Sequence, residues 1–146
     1  MPGNQAFVPV EVGFIVDVTI ADPGAGNQIA YTLPDDYLYK LELFYFLFEA
    51  DGNVANRYIY VELIDGAANL RASLAALGSV GVNANVNFTY AKNMQHVVST
   101  DLHRHATLPD AWIPGGWGLR TQMINNQVGD LFTNIRLTCA RYREQN

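Results

Sequence analysis

Apolar and polar positions alternate with a period of two along most of this chain. In "EVGFIVDVTI", Val12, Phe14, Val16, Val18 and Ile20 share one face, while Glu11, Asp17 and Thr19 share the other. That is the pattern of a half-buried strand. "QIAYTLP" puts Ile29, Tyr31 and Leu33 on one face, and "RYIYVELID" does the same with Ile59, Val61 and Leu63. "VNANVNFTY" sets Val82, Ala84, Val86, Phe88 and Tyr90 against Asn83, Asn85, Asn87 and Thr89. The stretches "YLYKLELFYFLFE", "HVVST", "WGLRTQMIN" and "LFTNIRLTCARYR" complete about eight candidate strands, separated by Gly, Pro, Asn and Asp turns. Short strands at this spacing predict an all-β sandwich or barrel. "AANLRASLAALG" places Leu70, Leu74 and Leu77 at helical spacing before Gly78, so it admits either one short helix or an extended segment.

The 146 residues are one domain's worth of chain. We divide them into an extended N-terminal arm, residues 1–10, and a single sandwich domain, residues 11–143. Proline suits the start of a strand because it cannot donate to a ladder. "LPDDYLYKL" and "IPGGWGLRT" both run from an apolar residue through Pro and a turn pair to an aromatic and a strand.

Apolar side chains are in excess at "LFYFLF". Leu43, Tyr45 and Leu47 occupy one face and Phe44, Phe46 and Phe48 the other. A sandwich strand normally keeps one face polar, so a loop or a partner subunit must cover the second. We assign Phe44, Phe46 and Phe48 to a subunit contact. Phe7 and Val8 of the arm are assigned to docking on a neighbour. Trp117 shares parity with Leu119 and Met123 and is expected near the core. Trp112, in the turn, is the docking candidate.

Charged residues make up only 16% of the chain, leaving little charge to cover its surface, which again points to contact with other proteins. The net charge of −5 and the absence of a basic stripe exclude a nucleic-acid binder and disfavour an anionic membrane surface. No apolar run approaches the ~20 residues that span a bilayer. Cys139 is the only cysteine, so no internal disulfide forms, and its place in "RLTCAR" suits a small buried hydrophobe. "MPGNQAFVPV" lacks the basic and apolar regions of a secretory signal.

No catalytic or metal-binding pattern is complete in the sequence. His103 and His105 point the same way in an extended "HRH", but spacing supplies neither them nor His96 with further metal ligands. "DGNVANRYIYVE" matches a calcium loop at Asp51, Asn53 and Glu62. It has Asn56 where glycine is required, and reads better as a hairpin turn through Asp51-Gly52. "PGAGNQ" precedes no helix and so makes no phosphate cradle. The carboxylates are scattered through turns, and no nucleophile–base pair can be named. The expectation is a protein that is not an enzyme and uses no metal or cofactor.

"VANRYIYVELIDGAANL" and "IPGGWGLRTQMINNQVGDLFTNIRL" resemble small β-sandwich virion proteins of tailed bacteriophages. In these an Ala-Asn-Arg strand leads into an Asp-Gly turn, and later a Pro-Gly-Trp strand and a Gly-Asp turn precede the last strand. The similarity covers residues 33 to 139. It implies a jelly-roll-like antiparallel sandwich and a capsid decoration (cement) protein. Such a protein would be a homotrimer, made in the host bacterial cytoplasm. It would bind the major capsid protein shell on the outside of the virion. A carbohydrate-binding or receptor-binding module of a fibre or tail is the competing expectation. It would need Tyr58, Tyr60 and Trp112 in a coplanar row.

Overall fold

Alternation becomes strand pairing over most of the chain. A computed structural model describes residues 13–74, 76–95 and 102–143. Its strands are β1 (Phe14–Ile20), β2 (Ala30–Thr32), β3 (Tyr37–Glu49), β4 (Tyr58–Ile64), β5 (Leu70–Leu74), β6 (Asn85–Ala91), β7 (His103–Thr107), β8 (Ile113–Pro114), β9 (Gly118–Ile124) and β10 (Leu131–Arg143). One sheet runs β1-β10-β3-β6-β7, with β8 pairing a second stretch of β3, and the other runs β2-β9-β4-β5. With β7 and β8 set aside as parts of the β6–β9 connection, eight antiparallel strands remain. Their order, first-last-third-sixth facing second-seventh-fourth-fifth, is the double Greek key of a jelly roll. β7 departs from it by pairing parallel to β6.

One choice the sequence left open is settled, and one expected strand lies outside the described residues. "AANLRASLAALG" contains β5 and no helix is present among the described residues. Leu70, Ala72 and Leu74 face Ile64, Leu63 and Val61 of β4 across a ladder, and the pairing overrides the helical spacing. Next to β6 the strand is the "HRHAT" of β7, while "HVVST", together with Phe7 and Val8, lies outside the described residues.

The correction concerns Phe44, Phe46 and Phe48. All three are 0% exposed in the isolated chain, so they are core residues and do not form a docking surface. Phe46 stacks on Phe88 at 5.0 Å and meets Phe132 edge-on at 5.3 Å, and Phe48 lies 5.1 Å from Phe132. The cause is a β-bulge. Leu41 pairs with Cys139 and Leu43 with Thr138, which leaves Glu42 unopposed. An extra residue in one strand moves every later side chain to the other face. Inward positions on β3 therefore change from Tyr39 and Leu41 to Phe44, Phe46 and Phe48. A second bulge between Thr133 and Arg136 does the same to β10, from Phe132 to Ile135, Leu137 and Cys139.

The two Pro-turn segments lie side by side. Leu33 N–H donates to Trp117 O at 2.8 Å and Gly115 N–H to Tyr37 O at 2.9 Å. The approach is so close that a Cβ on Gly115 would sit 2.6 Å from Pro34 O, which leaves room only for glycine. Trp117 packs against the core, as its parity requires.

Phe46→Ala removes the centre of this aromatic cluster. It should lower unfolding stability by about 3–5 kcal/mol, read from urea denaturation as a lower midpoint with an unchanged slope.

Candidate functional site

Immediately before strand β4 a charged residue continues its buried face. Arg57 shares parity with Ile59, Val61 and Leu63, and like Ile59 and Val61 it is shielded from solvent, with 0% exposure. A buried guanidinium is tolerable only when its donors are paired. Arg57 Nε donates to Asp130 Oδ1 and Oδ2 at 3.0 and 2.8 Å. Nη2 donates to Asp51 Oδ1 at 2.7 Å and to Asn53 O at 3.1 Å, and Nη1 to Ala55 O at 3.0 Å.

The carboxylates carry the network outward. Asp130 accepts from Asp51 N–H and Gln127 N–H, both at 2.9 Å. Asp51 accepts from Asn53 N–H and Gly129 N–H, also at 2.9 Å, and from Asn53 Nδ2 at 2.8 Å. Burial alone would raise the Asp51 pKa; the Asn53 and Gly129 donors and the nearby guanidinium outweigh it and hold the carboxyl below its ordinary value. A Cβ on Gly129 would lie 2.8 Å from Asp51 Oδ2, so the Gly-Asp turn needs its glycine for this approach.

Backbone bonds tie four connections to this clasp. Gly26 N–H, from the β1–β2 loop, donates to Asp130 O at 2.8 Å, and Asn126 Nδ2 returns a bond to Gly26 O at 2.7 Å. Asn83 N–H, from the β5–β6 loop, donates to Asp51 O at 3.0 Å. Asn125 Nδ2 links the β9–β10 loop to Asn56 O of the β3–β4 loop at 2.9 Å. One end of the sandwich is thus a single bonded unit.

The surface of this end is mainly amides, glycines and apolar tips. Val54 is 91% exposed, Val128 84% and Val82 40%. Tyr58 and Ile124, paired across β4 and β9, continue the apolar surface onto the four-stranded sheet. Across loops 21–29, 50–57, 78–84 and 125–130 the charged residues are Asp22, Asp51, Arg57 and Asp130, and only Asp22 lies outside the network. Such a surface can dock an apolar partner without desolvating a charge.

The remaining candidates do not converge on it. Trp112 is 43% exposed near the opposite end, edge-on to Tyr142 at 4.8 Å with Lys40 Nζ 4.6 Å from its ring centre. Tyr58 and Tyr60 belong to the other sheet, so the three aromatics form no coplanar row. His103 and His105 lie on the outer face of β7 beside Asn87 and Thr89, and His96 lies outside the described residues. Among the described residues no three His, Cys, Asp or Glu side chains are grouped to hold a metal ion. Asp51 is committed to its turn and to Arg57. Cys139 is buried, and that burial pushes its thiol up to about 11. The sequence reading missed Arg57 and Asp130 as partners, although Arg57's place on an apolar parity was the available signal.

No protein-family model matches the chain, and no curated protein matches it. Solved structures of infectious bursal disease virus are similar to it. A chain of the crystallised viral particle shares 9% identity at a TM-score of 0.45, covering 90% of this chain and 32% of that one. A chain of the Gt strain shares 10% at 0.37, covering 94% and 37%. A mutant VP2 protein in T=1 particles shares 6% at 0.30, covering 92% and 39%. This chain spans about a third of the length of the solved chains it matches.

Arg57→Met keeps the volume but leaves Asp130 and Asp51 without their cation. Stability should fall by about 3–5 kcal/mol, measured by urea denaturation at neutral pH, with Arg57→Lys recovering only part. A second prediction concerns Asp65, in the β4–β5 turn. The Asn69 N–H is the largest influence holding its carboxyl down to about 2; burial opposes this, and Arg71 and the Ala67 N–H assist. A lowered folded-state pKa contributes stability that is full above the ordinary value of 3.8 and is lost as pH falls toward about 2. Asp65→Asn should therefore flatten the acid side of a stability–pH profile between these values, and an unchanged profile would remove Asp65 from the account.

Proposed function

We propose that this chain is a structural protein of a virion, of the capsid-decoration type. It binds the outer surface of a major capsid protein shell through its clasped loop end. The observation that carries this reading is the combination of a buried ionic clasp with exposed apolar tips. Four loops fixed by one network present Val54, Val82 and Val128 on a surface bearing one free carboxylate. Preorganised tips lose little entropy on docking, which suits a partner surface that is large and repeated. A jelly roll hosts both capsid and lectin functions, so the fold alone does not choose between them. The site does favour one: the aromatics a sugar-binding platform needs are split between two sheets, whereas the apolar tips converge. Net negative charge suits the exterior of a shell, away from packaged nucleic acid. The protein acts as a homotrimer, with Trp112 and the arm residues Phe7 and Val8 as further contacts.

The test is sedimentation of the purified protein with empty shells of its own virus, beside a glycan array. Saturable co-sedimentation and a blank array are expected. Val54→Lys with Val128→Lys should weaken shell binding by roughly tenfold or more with an unchanged melting temperature. Glycan binding without sedimentation would overturn the proposal.

A further inference from the structure

Among the described residues the first strand ends its sheet without a cover. β1 pairs only with β10, and among the described residues no strand lies on its other edge. Its seven residues, "FIVDVTI", include none of the prolines or lysines that usually blunt an edge, and Phe14 and Ile15 are well exposed. Beside this edge the two sheets part. A cavity of about 40 Å³ opens there, lined by Val16 and Val18 of β1, Tyr31 of β2, Leu33, Tyr39 and Cys139. A water needs roughly 10–15 Å³ by such a measure, so the space holds about three atoms of that size. This is the side chain of one valine.

We propose that this edge takes up residues 6–12 of a second copy of the chain as an added strand. Strand addition draws affinity from main-chain hydrogen bonds and specificity from pockets that receive alternate side chains. The segment "AFVPVEV" has the required pattern, with Val8, Val10 and Val12 on one parity and Phe7, Pro9 and Glu11 on the other. Backbone N–H groups alternate with the side chains. When the valines' N–H groups point at β1, Pro9, which lacks one, faces the open side, where an edge proline is tolerated. Residues 6–12, extended, span roughly 23 Å at about 3.3 Å per residue, about the length of β1, and only Gly13 links them to their own β1, so the neighbour's β1 must begin beside it. Two other occupants fit less well. The chain's own segment joins β1 directly at Gly13, so folding back would use Val12 in the turn. The β1 of a second copy, paired centre to centre, would set Asp17 against Asp17, and like charges directly opposite destabilise a strand pair.

The full chain carrying Cys139→Ala serves as the background for the test. One batch carries Val16→Cys, three others carry Val8→Cys, Val10→Cys or Val12→Cys, and three more combine Val16→Cys with each arm substitution in one chain. Batches are refolded together and treated with a mild oxidant. A reducible dimer is expected when the Val16→Cys batch is mixed with at least one arm batch. A dimer from the Val16→Cys batch alone would show β1 pairing with β1. A disulfide forming only within a chain that carries both substitutions would show its own arm in place. Either result, or no cross-link in any mixture, would overturn the proposal. Val10→Lys gives a second reading that leaves the described domain untouched. Light scattering should show the assembly falling to single-chain mass, and an unchanged assembly would overturn the proposal equally.

Discussion

One guanidinium organises an entire end of this molecule. Arg57 bonds to the two carboxylates that terminate the β3–β4 and β9–β10 connections, and the backbones around those carboxylates hold the β1–β2 and β5–β6 loops. A buried ion pair is weak evidence of net stability, because desolvating three charges costs much of what their attraction returns. Its value here is geometric. Replacing the clasp with a well-packed apolar cluster could keep the fold, but no apolar cluster would fix the directions of Asp51, Gln127 and Gly129 N–H groups. Loop positions that are otherwise free become single-valued, and the valines they carry are displayed at fixed places.

The apolar excess of the chain divides between interior and surface by a register device. Thirteen residues of β3 read as one strand with two apolar faces, yet the bulge at Glu42 makes it two strands of opposite phase. The phenylalanines then fill the gap between the sheets, together with Phe88 and Phe132. Tyr45 and the neighbouring leucines take the outer face, where the Tyr45 hydroxyl donates to Asn87. The exposed apolar side chains therefore include valines held singly on bonded loop tips and Phe14 and Ile15 on β1.

Most strands were legible because one face of each is buried and a period of two survives in the sequence. β1, β4, β6 and β9 follow their alternation through the paired register. The bulges were not legible, since an inserted residue changes the phase without changing composition. β5 was ambiguous because Leu70 is exposed and Leu77 fills the core from beyond the strand, so the leucine spacing reflected no single face. β7 was missed because parallel pairing to β6 is a tertiary event. The Ala-Asn-Arg and Gly-Asp motifs were visible as turn markers. That they are the two halves of one ion pair, 73 residues apart, follows only from the jelly-roll path that brings the start of β4 beside the end of the β9–β10 loop.

Native-state amide exchange tests most directly whether the four loops are one unit. The N–H groups of Gly26, Asp51, Asn83 and Gly129 are each bonded within the clasp. They should exchange slowly, with a common opening free energy, and Arg57→Met should accelerate all four together. Independent rates for the four amides, or an acceleration confined to the two loops that Arg57 touches, would contradict the account.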